Sequence, residues 1–359
     1  MPKTARRTST LRNAVIGISA AALAATAAAC SSSGSTSSAA TTGSRSLVPI
    51  SFQLNYEAGG PNAGFAAAVA QGYYKAAGLD VTLVQGNGSS LAAELVGEGH
   101  APLGYADAVA ASQVIAKGSP VKIVSTIYQA NPDAVAVKKS SGITSIAQLK
   151  GKTIAAPSGL AGTLLFPLVL SAAGLSPSDV KIVDVSPTSL VPTLLRGQVD
   201  AMLSGVDSYS VQAELQGAQI TNLPFADNGA PTVSTSIIAN ESYLSSHGAI
   251  VTKFIEASAK GWAFAIQNPT QAVADLHQVF PQMQESTKQA TLELEGAISA
   301  NLFCADGAKY IGMAEPAEWT KTQQQSGQVG LLKAGVNPSE YYTNQYLPPA
   351  AQLPACPAS

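Results

Sequence analysis

The residues best suited to chemistry in this 359-residue sequence lie where the first short apolar run ends. Asn55, Tyr56 and Glu57 follow that run directly. A tyrosine ring can stack on a planar ligand, and the Glu57 carboxylate can accept hydrogen bonds from an amino group. Asn62 either contacts the same ligand or caps a helix predicted over 62–77. The cluster predicts binding of a small planar molecule, and the alternative is that Tyr56 packs in the core while Glu57 caps a turn.

Two aspartates one hundred residues apart, Asp107 and Asp207, have the same kind of sequence neighbourhood. Each follows a predicted strand and opens a predicted helix, which makes both of them candidate N-caps. Helix starts that follow parallel strands face the crevice where ligands bind. Both aspartates are therefore also candidate ligand contacts, together with Tyr105 and Tyr209, which lie two residues away from them.

A further candidate is the turn at Ser158 and Gly159, which follows a predicted strand and opens a helix predicted over 161–173. Backbone N–H groups at such a turn suit an anion or a carbonyl oxygen. An ordinary strand-to-helix turn would have the same sequence, and this alternative stays open.

The composition disfavours several classes of function. Three histidines and three cysteines leave little material for metal or thiol chemistry, so we expect no metal, no cofactor and no catalytic residue. Strongly anionic ligands are usually held by arginines, and after residue 30 the sequence has only Arg45 and Arg196. That part of the chain has 16 basic and 22 acidic residues, a net charge of −6, which disfavours a nucleic-acid partner.

Residues 1–30 have the pattern of an export signal. Basic residues are confined to the first thirteen, 14–29 are apolar and uncharged, and small residues precede Cys30. The Ala-Ala-Ala-Cys sequence resembles a bacterial lipobox, whose lipidated cysteine anchors a protein to the outer face of the cell membrane. A plain signal peptide cleaved after Ala29 is the alternative. Residues 31–46 are rich in Ser, Thr, Ala and Gly and predict a flexible tether.

The two remaining cysteines are Cys304 and Cys356. An even number of cysteines in an exported domain predicts a disulfide. Two separate buried thiols are the alternative.

The pattern from Ile50 onward alternates short apolar runs with Ala-rich helical stretches. This alternation predicts an α/β protein with parallel sheets. An internal repeat at a spacing of one hundred pairs Leu95, Gly97, Ala101, Leu103 and Asp107 with Leu195, Gly197, Ala201, Leu203 and Asp207. The repeat predicts two lobes of similar topology.

The lobes are expected to be joined by extended segments near 129–138 and 230–239. Lobe one would then comprise 47–136 and 238–359, and lobe two 137–237. Two lobes joined by two crossover segments form a hinge and a cleft. Ligands of open α/β sheets bind where strand carboxyl ends meet such a crevice.

Several blocks of the sequence resemble one family. The most specific is the opening block at 54–81, and supporting blocks lie at 149–155 and 195–201. They are similar to the solute-binding proteins of ABC importers for nitrate, sulfonate, taurine and thiamine-pyrimidine precursors. The resemblance covers roughly 50–280 and implies a two-lobed periplasmic-binding-protein fold, type II-like, with an ABC permease and its ATPase as partners. We expect a monomer.

Pyrimidine-precursor synthases share this fold, and two departures separate the sequence from them. The synthases carry a histidine where Asn62 aligns. They also carry a Cys-rich segment where this sequence reads 204–209 without a cysteine. The resemblance therefore implies binding without catalysis.

These features together predict an extracytoplasmic receptor that captures a small metabolite in the cleft and delivers it to a permease. The expected ligand is a planar heteroaromatic molecule such as a thiamine pyrimidine precursor. A receptor for an aliphatic sulfonate, taurine or nitrate is the first alternative. An enzyme on the same fold is the second.

Overall fold

The structure is a computed structural model that describes residues 46–158, 160–305 and 307–356. The predicted export signal, Cys30 and all but the last residue of the predicted tether lie outside the described residues, as does Gly159. Within the described ranges, no helix has the length and apolar character needed to cross a membrane.

The described residues form two five-stranded sheets. The first has the order β2-β1-β3-β10-β4 and contains β1 (Val48–Gln53), β2 (Leu79–Val84), β3 (Leu103–Ala106), β4 (Val121–Thr126) and β10 (Ser236–Asn240). The second has the order β7-β6-β8-β5-β9 and contains β5 (Asp133–Lys138), β6 (Thr153–Ala155), β7 (Lys181–Val183), β8 (Ala201–Gly205) and β9 (Ile220–Pro224).

Helices follow most of these strands and cover the sheets. In chain order they are α1 (Ala63–Ala70), α2 (Tyr73–Ala76), α3 (Ser89–Gly97), α4 (Ala108–Ala116), α5 (Ala161–Ala172), α6 (Pro187–Leu195), α7 (Tyr209–Leu215), α8 (Glu241–Gln267), α9 (Pro269–Val279), α10 (Thr287–Ser299) and α11 (Pro316–Gln328).

The two sheets have the same topology, as the internal repeat predicts. The order of β1, β2, β3, β10 and β4 in the first sheet corresponds to that of β6, β7, β8, β5 and β9 in the second. The repeated sequence block spans α3 and β3 in one sheet and α6 and β8 in the other. The predicted two-lobed α/β architecture is therefore confirmed.

The prediction of parallel sheets is wrong for one strand in each lobe. β10 runs antiparallel to β3 and β4, and β5 runs antiparallel to β8 and β9. Each of these strands enters its sheet from the opposite lobe, so it inserts in the reverse direction. The predicted lobe boundaries at 136/137 and 237/238 fall inside β5 and β10, which belong wholly to the second and the first sheet respectively.

The core of the first lobe is a cluster of aromatic rings between β1, α1 and α8. Phe52 and Phe65 have ring centroids 4.8 Å apart, and Trp262 meets Phe65 edge-on at 5.5 Å. α1 consists almost entirely of small buried residues, and any Cβ on Gly64 would overlap the Trp262 ring. This close packing fixes the start of α1 and with it the turn that leads there from β1.

The predicted disulfide joins Cys304 to Cys356, with the two Cα atoms 5.6 Å apart. It ties the C-terminal segment to the turn that follows α10. The carbonyl oxygen of Leu302 in that turn accepts a hydrogen bond of 2.6 Å from the Gln129 N–H, and the Phe303 carbonyl accepts one of 3.1 Å from the Gln129 side chain. The disulfide therefore supports the turn on which the first crossover segment rests.

Candidate functional site

A cavity of about 550 Å³ lies between the two lobes. Its walls come from the segments that follow β1, β2 and β3 on one side and β6 and β8 on the other, so it lies at the carboxyl ends of the strands, as expected for this class of fold. The crossover segments and the end of the loop from α9 into α10 complete it. Of the ten predicted ligand contacts, the cavity brings together Asn55, Tyr56, Glu57, Asn62, Tyr105, Asp107, Asp207 and Tyr209.

The turn between β1 and α1 is held by side-chain hydrogen bonds. Gln85, which follows β2, accepts a bond of 2.9 Å from the Ala58 N–H. Asn62 occupies the N-cap position of α1, but its side chain makes no capping bond and instead donates to the Asn55 side chain at 3.3 Å. Asn62 therefore lines the cavity without a capping bond, and its contact with a ligand stays a prediction.

Two tyrosines meet across the cleft. The hydroxyl of Tyr209, the first residue of α7 in lobe two, donates to the hydroxyl of Tyr56 in lobe one at 3.2 Å. Both side chains are half-buried and line the cavity. Burial raises the pKa of Tyr209, so its hydroxyl stays protonated and available as a donor. The pair closes one side of the cavity with two aromatic rings.

The lobes also touch at the backbone. Gly296 of α10 faces the segment that follows β8, and a Cβ built on it would lie 3.1 Å from the carbonyl oxygen of Val206. That spacing is tighter than an ordinary carbon–oxygen contact, so a side chain there would press the lobes apart. The small residue allows α10 and lobe two to approach closely.

Asp107 is both an N-cap and part of the cavity wall. One carboxylate oxygen accepts bonds of 2.9 and 3.0 Å from the Val109 and Ala110 N–H groups, and the other accepts one of 3.1 Å from the Ser234 hydroxyl. Burial raises its pKa in spite of these bonds. Tyr105 beside it donates to Thr235 at 2.7 Å and forms part of the cavity floor.

Asp207 is not the N-cap that the sequence predicts. α7 begins two residues later than expected and has Ser208 at its N-cap position, so the Asp207 side chain is left to face the cavity. The residue is only 4% exposed, and burial raises the pKa of its carboxyl to about 6. The Tyr128 hydroxyl approaches this carboxylate and partly offsets the shift.

Three acidic residues that were not predicted as contacts complete the wall: Asp133, Glu285 and Glu293. Glu293 lies on the face of α10 that also buries Ala290 and Ala297. The sequence could have pointed to Glu293, because a carboxylate on the apolar face of a predicted helix is unusual. Asp133 opens β5, and no sequence pattern separates it from an ordinary strand start.

The two glutamates form a close acidic pair. Glu285 accepts a bond of 3.4 Å from the Gly60 N–H, and Glu293 accepts one of 3.0 Å from the Gln289 side chain. Burial raises the pKa of both carboxyls, and repulsion from Glu285 raises that of Glu293 further. Burial likewise raises the pKa of Asp133 well above its usual range, and the nearby Asp107 and Asp207 add to this shift.

The cavity is therefore strongly acidic. Among the described residues that line it are three aspartates and three glutamates, and neither lysine, arginine nor histidine. Such a lining attracts ligands that carry hydrogen-bond donors or positive charge and repels anions.

The predicted anion-binding turn lies outside this cavity. Ser158 lines a smaller depression of about 260 Å³ beside Tyr56. Its N–H donates to Asp184 at 3.0 Å and is thus already engaged. Gly159 lies outside the described residues, and the main cavity is lined instead by the next four residues, 160–163.

We expect the ligand-free protein to become more stable as the pH falls from 7 to 5. The Asp207 pKa is raised on folding from 3.8 to about 6, so the folded state binds more protons between these values. At pH 7 this carboxylate costs about 3 kcal/mol of folding free energy, of which a little under half is regained by pH 5 and the rest only below the unfolded pKa. The thermal midpoint should rise by several degrees between pH 7 and 5, and less so in Asp207→Asn. A midpoint that falls or stays level in the wild type would contradict the burial of these charges.

The chain is similar to one protein family and to several individual proteins. A family model described as NMT1/THI5 like matches residues 61–272. The riboflavin-binding protein RibY of Chloroflexus aurantiacus is 27% identical over 298 residues, which cover 80% of this chain and 84% of that protein. The 4-amino-5-hydroxymethyl-2-methylpyrimidine phosphate synthase of Aspergillus parasiticus is 24% identical over 311 residues, with 83% and 87% covered.

Solved structures with the same fold include two periplasmic binding proteins. The periplasmic aliphatic sulphonate binding protein SsuA of Escherichia coli superposes with a TM-score of 0.64 at 18% identity, covering 82% of this chain and 91% of that one. The periplasmic nitrate-binding protein NrtA of Synechocystis PCC 6803 gives 0.64 at 12% identity, with 86% and 91% covered. At these identities the likeness establishes the fold.

Proposed function

The chain belongs to the NMT1/THI5-like family, and we propose that it is the extracytoplasmic solute receptor of an ABC importer. The observation that carries this proposal is the cavity enclosed between two lobes and lined by both of them. A solute bound there contacts both lobes only in the closed form, so binding shifts the population toward closure. The closed form is the one that a permease and its ATPase would recognise.

The proposed solute is a small planar heteroaromatic molecule that carries amino groups, such as a thiamine pyrimidine precursor. Tyr56 and Tyr209 supply ring faces for stacking, and the carboxylates of Glu57 and Asp207 supply acceptors for N–H groups. One relative is named for riboflavin, which is itself a planar heteroaromatic molecule. The lining of the cavity and the name of this relative thus support the same class of ligand.

A receptor for a sulfonate or nitrate has the support of the two structural neighbours by name. The lining argues against it, because six acidic side chains, Asp207 ionised among them at pH 7, surround the space an anion would occupy, and no described lining residue is cationic. Repulsion of this kind disfavours an anionic partner strongly. We therefore place this alternative second.

An enzyme on the same fold is the third candidate, since one relative is named as a synthase. Its chemistry would need a nucleophile or a base at the cavity. Here Asn62 is bonded to Asn55, and the segment 204–209 contains no thiol. We propose capture without conversion, by a monomer anchored to the outer face of the membrane through lipidated Cys30.

A binding and recovery experiment tests the receptor function. The exported protein is titrated calorimetrically with aminopyrimidines, thiamine, riboflavin, taurine, methanesulfonate and nitrate. We expect one-to-one binding of a heteroaromatic solute, and mass spectrometry should recover that solute unchanged after hours with the protein. A converted product would show an enzyme instead, and tight binding of an anion would favour the second candidate.

A further inference from the structure

We propose that the transported solute carries a positive charge, and that this charge closes the lobes by binding between carboxylates that come from both of them. The inference rests on the proposed receptor function and adds the property by which the solute is selected. Three aspartates carry it: Asp107 at the end of β3, Asp133 at the start of β5 and Asp207 after β8.

These three residues come from different parts of the two-lobed fold. Asp107 belongs to lobe one, Asp207 to lobe two, and Asp133 follows the first crossover. All three line the cavity, and the charges of Asp107 and Asp207 both act on Asp133. Closure therefore brings together like charges, which oppose it unless a cation or bound protons neutralise them.

The hydrogen-bond acceptors of these aspartates are only partly satisfied within the protein. Asp107 is engaged by two backbone N–H groups and by Ser234. By contrast, the Oδ2 atom of Asp133 is enclosed and has no hydrogen-bond partner among the described residues, and the Tyr128 hydroxyl has only its approach to the Asp207 carboxylate. Tyr128 is 1% exposed and lines the same cavity. An unpaired buried polar atom of this kind indicates a missing partner.

The chemistry of the missing partner follows from its surroundings. At pH 7 the Asp207 carboxyl lies above its pKa of about 6 and is ionised, so it can only accept hydrogen bonds and its partner must donate. A charged donor makes stronger bonds to a carboxylate than a neutral one. The cavity volume of about 550 Å³ suits an organic molecule, so the partner is an organic cation such as a protonated amine or an N-alkylated ring.

The position of the charge explains closure. A cation between Asp107 and Asp207 gains attraction from both lobes only when they are together, and it removes the repulsion between them at the same time. A neutral molecule of the same shape would gain ring contacts with Tyr56 and Tyr209 but would leave the repulsion in place. Charge and stacking thus act in separate parts of one cavity.

A matched pair of probes tests the charge requirement. Nicotinamide and 1-methylnicotinamide share a planar ring and differ by a methyl group and a permanent positive charge. We expect calorimetry at pH 7 to show at least tenfold tighter binding of 1-methylnicotinamide. This preference should disappear in Asp207→Asn and persist in Asp227→Asn, an exposed aspartate of the same lobe outside the cavity. Equal or tighter binding of nicotinamide would overturn the inference.

A second measurement needs no ligand. If repulsion holds the lobes apart, then Asp107→Asn with Asp207→Asn, the two residues between which the cation is placed, should be more compact than wild type in small-angle X-ray scattering at pH 7 without solute. The matched control is Glu214→Gln with Asp227→Asn. An unchanged radius of gyration in the cavity double variant would overturn the inference, including when neither probe binds.

The two proposals fail in distinguishable ways. If a neutral heteroaromatic solute binds and compacts the protein while cations do not, the charge requirement is wrong and the receptor function stands. If no solute of the wider panel binds and no compaction is seen in any variant, the receptor function is contradicted as well.

Discussion

Replacing Tyr56 and Tyr209 together by alanine is expected to weaken solute binding by about a hundredfold. Each ring stacked on a heteroaromatic solute contributes about 1–3 kcal/mol, and a loss of about 3 kcal/mol corresponds to two orders of magnitude in Kd. The double variant also removes the 3.2 Å hydrogen bond that links the lobes. Calorimetric titration with the solute identified from the panel measures the effect.

Two controls separate the rings from their hydroxyls and from general damage. Tyr56→Phe with Tyr209→Phe keeps both rings and should lose less than tenfold in affinity. Tyr73→Ala truncates a half-buried tyrosine remote from the cavity and should leave affinity unchanged. Wild-type affinity in the alanine double variant would show that the solute does not bind between these rings.

Removing the disulfide is expected to lower the free energy of unfolding by about 4 kcal/mol. The bond closes a segment with a sequence separation of 52 residues, and constraint of the unfolded chain over a loop of that length gives about this value. Cys304→Ser with Cys356→Ser should therefore unfold at markedly lower urea concentration. The loss should be concentrated in lobe one, which contains both attachment points.

The same protein supplies the control for this experiment. A reductant should shift the unfolding midpoint of wild type toward that of the serine variant and leave the variant itself unchanged. Solute affinity should stay within about threefold, since neither cysteine lines the cavity. A reductant-insensitive midpoint in wild type would show that the bond does not form in solution.

The sequence predicts most of the fold because the apolar periodicity is strong. The strand with the weakest sequence signal is β9, whose residues Ile220–Pro224 include Thr, Asn and Pro and only partly alternate. The strand lies at the edge of its sheet, where polar residues and proline are tolerated. The sequence pattern also does not predict the direction of β5 and β10, because side chains alternate in the same way in parallel and antiparallel strands.

The candidate site was predictable where it depends on local order along the chain. Asn55 to Glu57, Asp107, Asp207 and Tyr209 follow strands and Tyr105 lies near the end of β3, and the carboxyl end of a strand in such a sheet faces the crevice. Glu285 and Glu293 come from the far end of the chain. They reach the cavity only because α10 folds back onto the turn before α1. Their position in the cavity depends on tertiary packing, and no residue spacing in the sequence predicts it.

The glycine at position 296 has a consequence for how such a receptor can be adapted. It lies where α10 meets the Val206 carbonyl, and it is not among the described residues that line the cavity. A larger residue there would act as a wedge, reducing the fraction of molecules in the binding-competent form and so weakening every ligand by the same factor. The overall affinity and the preference among ligands are thus set at different positions. Either can change in evolution, or be adjusted in a biosensor, without altering the other.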